Sequence, residues 1–357
     1  MKEVYVSKAA LKTNLGAIRA RTSGRPLIGT LGGDAYGLGL IPTARFLFDE
    51  GVRFFAVSEL ADAALLRKEG FSDADILFLP STSDPGEIET LLDLGVIATV
   101  GSQETAVALS GLADRRGAVA EAHLRVDTGY GAYGFPPPET DKIMAVFQYM
   151  QGIAVSGVYT QYNPTASHKA RLAQARAFQG VLDQLGAAKL ETGLVHAAGS
   201  VVLFGGDAEL PLFDAVRVGA ALTGRVHKHR KTGLVPAAKL KSRIIEAGWR
   251  PAGTVLCGKR LKKPARVGIV PIGYADGLDV TAPPATRLEI FAEFRRRWAA
   301  PGPVLRLADG KRLPLLGFCG PDHAAVRIDH LSVEVGAEVY ADVNPIYCAG
   351  IPRKHTG

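Results

Sequence analysis

The sequence predicts an α/β protein: a TIM-type (β/α)8 barrel followed by a mostly-β C-terminal domain. Three observations carry that expectation. From about residue 26 to 220, eight short apolar runs alternate with segments of helical period. After residue 235 the helical segments nearly stop, and strand-like runs alternate with Gly, Pro and Asp-Gly turns. The chain has 357 residues, more than the roughly 250–300 that a single core usually holds, so two domains are expected.

In order, the barrel strands are expected at PLIGTL (26–31), FFAVS (54–58), ILFLP (76–80) and VIATV (96–100), then AHLRV (122–126), IAVSGVYT (153–160), LVHAA (194–198) and DAVRVG (214–219). Between them ELADAALLRKEG and KARLAQARAFQGVLDQLG read as helices, the first closing on a C-terminal glycine. A doubly wound open sheet would need GxGxxG after the first strand, and GGDAYG does not supply it. Further on, KLKSRIIEA, RVGIVPIGYADG, PVLRLADGKRLPLLG, AAVRIDHLSV and EVYADVN read as β structure, with FAEFRRRWAA the one helical interruption. The stretch after the first strand, GTLGGDAYGLG, raises a question. A strand end is where such a protein usually places chemistry, yet Gly32 and Gly33 place no side chain there.

Composition narrows the function classes. Hydrophobic residues at 47% and charged residues at 22% fit an ordinary globular chain. No run approaches the roughly 18 apolar residues of a membrane span, and the first twenty residues lack a leader's apolar centre. Cys257, Cys319 and Cys348 are too far apart for a CxxC metal pair or a disulfide framework, so a reducing cytoplasm and no metal are expected. The net charge of +7 is spread widely, apart from short clusters at 227–233 and 258–266. No zinc-finger spacing or RNA-binding aromatic signature accompanies it, which argues against a nucleic-acid partner and for a small-anion site.

Several motifs together resemble the alanine racemase family. DAYGLG follows the first strand; RVDTGYGAYGF (125–135) is similar to KVDTGM-RLG, and VYTQYNPT (158–165) holds TQYN where the family has THFA. HAAGS (196–200) resembles HxANS, FDAVRVGAALTG (213–224) resembles FDxVRPGIALYG, and PIGYADG (271–277) is nearly unchanged. LKSRIIEAGWRPAGTVLCG (240–258) and the closing IPR (351–353) extend the likeness to the β domain. The resemblance implies an N-terminal strand within residues 1–10 joining the β domain of 231–357, and a barrel over 11–230. It also implies a head-to-tail homodimer, and pyridoxal phosphate held as a Schiff base by a lysine after the first strand. That lysine and a tyrosine from the partner's β domain would flank the substrate α-carbon.

Position by position, that machinery is largely replaced. Against KADAYG the Schiff-base lysine falls on Gly32, which has no amine. The catalytic tyrosine falls on Cys257, and the histidine that orients it on Gln161. The arginine near the substrate carboxylate becomes Ala132, and the Met-Asp pair becomes Pro321-Asp322, whose proline has no N–H to donate. A phosphate-binding tyrosine aligns with Ala349, with Tyr347 close by, and the often carbamylated lysine is Arg125. Matches remain at the phosphate contacts Tyr36, Ser200 and the Gly219–Ala220 backbone, at Arg217 facing the pyridine nitrogen, at His196 beneath the cofactor, and at Tyr274 of the substrate entrance.

Each singled-out residue also has a plain structural reading. Gly32 suits close backbone approach, Cys257 a small buried hydrophobe, Asp322 a turn, and Asp34 a cap on the next helix. The functional readings are three. The first is a divergent enzyme acting on a small amino-acid-like or anionic substrate without covalent pyridoxal phosphate, using Cys257, Asp322 or His196; pyridoxal phosphate or another phosphate or carboxylate ligand would bind non-covalently. The second is a non-catalytic ligand-binding protein. The third is a pyridoxal-phosphate amino-acid racemase using another lysine, with Lys228 and Lys231 the candidates.

Overall fold

A computed structural model describes residues 2–226, 232–280, 291 and 304–357. The basic segment carrying Lys228 and Lys231, and the expected helix at 291–300 beyond Phe291, lie outside these residues. The chain divides into two compact units: Thr13–Ala35 with Leu40–Leu234, and Met1–Lys12 with Tyr36–Gly39 and Val235–Gly357.

The second unit begins with the N-terminal strand β1 (Glu3–Ser7), whose alternating burial puts Val4 and Val6 inside. The barrel unit follows. Its strands are β2 (Leu27–Thr30), β3 (Phe54–Val57), β4 (Asp75–Ser81), β5 (Ile97–Val100), β6 (Ala120–Arg125), β7 (Ile153–Tyr159), β8 (Leu194–Gly199) and β9 (Ala215–Val218). All neighbouring pairs are parallel, and β2 also pairs with β9, which closes the barrel. All eight expected strands are present, with ends shifted by a residue or two. Ile28, Ala56, Leu77, Ile97, Tyr159 and Ala215 form one buried cluster in this unit. The strands are apolar because a parallel barrel strand is covered on both faces.

Helix boundaries follow local chemistry. Asp84 accepts the Glu87 amide ahead of helix Pro85–Asp93, Ser102 that of Thr105 ahead of Gln103–Arg115, and Ser167 that of Ala170 ahead of His168–Ala187. Helix Leu60–Lys68 gives way two residues later to Gly70, in the left-handed region at φ +87°. The turn after β2 is left-handed: Gly33, Asp34, Ala35, Tyr36 and Gly37 all have φ between +53° and +80°. Three of these are not glycines, and left-handed backbone costs each about 1–2 kcal/mol. The Asp34 carboxylate accepts the amide of Leu40 at 2.8 Å, at the start of helix Leu40–Asp49, which is the capping role expected of it.

In the other unit a six-stranded sheet runs β16-β15-β18-β10-β1-β19, and a three-stranded sheet runs β11-β14-β17. The added strands are β10 (Ala238–Arg243), β11 (Glu246–Arg250), β12 (Val255–Leu256), β13 (Lys259–Arg260), β14 (Ala265–Val270), β15 (Leu305–Leu307), β16 (Arg312–Leu313), β17 (Ala324–Arg327), β18 (Glu338–Ala341) and β19 (Arg353–Thr356). β1 lies between β10 and β19, antiparallel to one and parallel to the other. The β12–β13 hairpin turns through Cys257 at φ +46° and Gly258 at φ +80°. Both signs match a type I′ turn.

Candidate active site

The C-terminal ends of β6 to β9 bring together Arg125, Gln161, His196, Ser200, Arg217 and Gly219, all in the barrel unit. This is the end at which such barrels carry out chemistry. A cavity of about 670 Å³ opens at the other end, lined by Arg19, Arg25, Arg53, Asp75 and Glu121 among others. Its arginines are already committed: Arg19 pairs with Glu50, Arg25 donates to the Phe213 carbonyl, and Arg53 donates to the Phe48 carbonyl. We therefore place the candidate site at the strands' C-terminal ends.

A buried polar chain runs through the barrel. Arg217, 5% exposed, donates from one terminal nitrogen to His196 Nδ1 and from the other to the Thr160 carbonyl and Gln161 Oε1, each at 2.7 Å. A guanidinium only donates, so His196 Nδ1 must accept and its proton sits on Nε2. That Nε2 faces His123 Nδ1 at 2.9 Å, which fixes the His123 tautomer in turn. Burial first, then the Arg217 charge, lowers both imidazoles, His123 to about 4 and His196 well below its ordinary value. Both rings are neutral at pH 7. His196, with both nitrogens bonded and no exposed surface, also stacks on Tyr159 at 4.7 Å between centroids.

His123 escaped the sequence reading because nothing in AHLRV separates it from a core residue. Its partner position is Gly157, where a β-carbon would fall 2.6 Å from the imidazole, and Ser156 is bulged out between the paired residues. The Gly157 in SGVY was the available signal.

Ser200 opens the short helix Ser200–Gly205 after β8. Its Oγ accepts the amides of Ala221 at 3.1 Å and Gly219 at 3.4 Å, while its hydroxyl hydrogen remains to donate. Ala220 lies between those two amides, and its carbonyl accepts from Thr223. Both amides are spent on Oγ, so the hydroxyl hydrogen is the donor left at Ser200 for an anion. Tyr162, in the loop after β7, is 2% exposed, its hydroxyl has no partner, and burial raises its pKa.

Gly32 follows β2. A β-carbon there would fall 2.6 Å from Ser58 Oγ and 3.4 Å from Ser58 Cβ. The eight barrel strands contain no lysine, and the described lysines of this unit, Lys68, Lys142, Lys169 and Lys189, are all exposed. Ala132 sits in the loop after β6, where its methyl offers no hydrogen bond.

Cys257, Tyr274, Pro321 and Asp322 belong to the other unit and gather around segment 317–323. Phe318 donates its amide to the Cys257 carbonyl, Tyr274 to that of Gly320, and Ala275 to that of Pro321. The Cys257 side chain packs with the apolar cluster of Leu261, Ala265, Val267, Leu316 and Ala325. Neighbouring Cys319 has its thiol pushed up to about 11, mainly by burial. Asp322 is exposed and bonded to the His323 ring at 2.7 Å, which lowers its pKa. Tyr274 is exposed, and Tyr36 falls in this unit at φ +57°.

Comparison with known proteins decides the lineage. The family model for the N-terminal domain of alanine racemase matches residues 6–226. The chain belongs to the alanine racemase family. It is 30% identical to the alanine racemase of Desulforamulus reducens, over 94% of this chain and 88% of that protein. It is 28% identical to that of Symbiobacterium thermophilum, over 92% and 84%. Among solved structures, alanine racemase from a D-cycloserine-producing Streptomyces lavendulae superposes with a TM-score of 0.84 at 22% identity, covering 100% of this chain and 97% of that one. Histidine racemase from Leuconostoc mesenteroides gives 0.81 at 18%, covering 100% and 98%. These confirm the barrel followed by a strand-rich region.

The family implies pyridoxal phosphate. The Ser200 hydroxyl hydrogen would meet its phosphate; its imine tether does not fit, because Gly32 has no amine.

Proposed function

We propose that this racemase-family protein takes a small, anionic, amino-acid-like molecule into the barrel mouth without holding pyridoxal phosphate as an imine. One observation carries the reading: the strand-end position that would supply the amine is a glycine, and no barrel strand contains a lysine. The Ser200 hydroxyl hydrogen and the buried positive charge of Arg217 support retention of a ligand site, with any phosphate-bearing ligand, pyridoxal phosphate included, held non-covalently. His196 acts beneath the ligand as a neutral positioning group, since Arg217 and His123 occupy both its nitrogens. A histidine racemase of the same fold supports the idea that this scaffold accommodates other amino-acid substrates. A head-to-tail homodimer, as the resemblance implies, is part of this proposal.

A second reading, that the protein catalyses a reaction through Cys257, is favoured by that residue's left-handed backbone. A non-glycine at φ +46° carries strain of the kind that clusters at functional sites. Asp322 is exposed and tied to His323, which makes it the weaker acid–base candidate.

Equilibrium dialysis tests the main reading. Pyridoxal phosphate and inorganic phosphate should bind reversibly, leave completely on gel filtration, and bind more weakly to Ser200→Ala. Co-purification of one pyridoxal phosphate per chain that survives gel filtration would overturn it. Loss of turnover in Cys257→Ala, for any amino acid the protein converts, would establish the thiol reading.

A further inference from the structure

Arg125 ends β6, with only 6% of its surface exposed. Its Nε has no hydrogen-bond partner, and no carboxylate pairs with its guanidinium among the described residues. Three rings surround it instead: Tyr133 at 5.4 Å, Tyr159 at 5.6 Å and Tyr130 at 5.7 Å from guanidinium carbon to centroid. Tyr159 is buried on the inner side, whereas Tyr130 and Tyr133 are exposed on the outer side.

The loop that brings the outer rings is built for that placement. The Phe135 amide donates to the Arg125 carbonyl and the Asp127 amide to the Phe135 carbonyl, pinning both ends. The Asp127 carboxylate, the nearest acid in sequence, accepts the amides of Gly129, Tyr130 and Gly131. It is spent on the loop rather than on Arg125. Cation–ring contacts attract a guanidinium but leave its N–H edge without acceptors. A buried cation lacking an anion is strongly unfavourable, so the arrangement calls for one from outside.

The geometry also selects its kind. Tyrosine faces flank the guanidinium, and an arginine edge pairs a planar carboxylate through two parallel hydrogen bonds. Arg217 stands over the same Tyr159 ring at 5.0 Å, but its nitrogens already serve His196, Thr160 and Gln161. The Ser200 hydroxyl is a separate anion point, just after β8. We propose that Arg125, between Tyr159 and the Tyr130–Tyr133 loop, is the carboxylate-recognition group of the barrel. The inference rests on the reading that the barrel takes an anionic amino-acid-like ligand, and it assigns the carboxylate end of that ligand to a residue where the family pattern has lysine.

Calorimetric titration of the full-length protein with L-alanine, D-alanine and acetate, against sodium chloride at matched ionic strength, tests it. The wild type should bind these carboxylates and respond to chloride no more than to ionic strength. Arg125→Met should weaken carboxylate binding about tenfold to a hundredfold, the range for hydrogen bonds to a charged group. Arg125→Lys, which keeps the charge and loses the fork, should weaken it about tenfold, and it serves alone should the methionine variant not fold. Inorganic phosphate binding should be the same in all three proteins. Undiminished carboxylate binding in the variants, equal binding of chloride, or no carboxylate binding by the wild type would overturn the proposal. Loss of phosphate binding by Ser200→Ala reports on the broader reading independently, so the two can fail separately.

Discussion

Acid should unfold this protein through its buried histidine pair before its carboxylates titrate. In the fold His123 has a pKa of about 4 and His196 lies well below its ordinary value, whereas the unfolded chain protonates both near 6.5. The folded values are depressed, so the stability is present above pH 6.5 and is lost as pH falls toward the folded values. Each proton taken up only by the unfolded chain costs about 1.4 kcal/mol per pH unit. His123 alone therefore costs about 2 kcal/mol at pH 5, and His196 adds a loss of the same sign. His168 opposes this, because its hydrogen bond to Asp207 raises its pKa and favours the fold at lower pH. The lowered carboxylates of Asp207 and Asp322 enter only below pH 5. Urea unfolding of the barrel unit at half-unit steps from pH 7.5 to 5, in wild type and His123→Asn, is the assay. Asparagine can still accept from His196 Nε2 but binds no proton, so the acid slope should fall by about half. An unchanged slope, or a wild type that gains stability on acidification, would refute the neutral tautomer chain.

Three further outcomes are expected. Gly37→Ala should destabilise the β-rich unit by about 2 kcal/mol or more, because φ is +80° and the new methyl would meet the Pro345–Ile346 backbone; thermal melting checks this. Asp127→Ala should cost about 1–3 kcal/mol by removing the acceptor of three loop amides, and should speed proteolysis between Gly129 and Gly134. Gly32→Lys combined with Ser58→Gly should place an amine after β2, and reduction with borohydride in the presence of pyridoxal phosphate should then label residue 32, seen by peptide mass spectrometry.

The eight barrel strands were legible because each is a short apolar run between helical segments, and a parallel strand covered on both faces leaves that signature. The turn after β2 was not. Nothing in DAYG announces its run of positive φ, which only the three-dimensional structure reveals. In the β-rich unit β19 was missed because RKHT is polar, and it is a strand only because β1 lies beside it. At the site, Arg217, Ser200 and His196 were readable from motifs. His123 and Tyr162 were not, since burial and an unpartnered hydroxyl are properties of packing, not of residue type. Asp34 as a cap was readable from its position alone.

The most direct test is intact-protein and peptide mass spectrometry of wild-type protein incubated with stoichiometric pyridoxal phosphate, reduced with borohydride and compared with an unreduced control. The expected result is no lysine labelled to one equivalent and, before reduction, no absorption band beyond that of free pyridoxal phosphate. A single lysine carrying one phosphopyridoxyl group per chain would contradict the account and return the protein to ordinary imine chemistry.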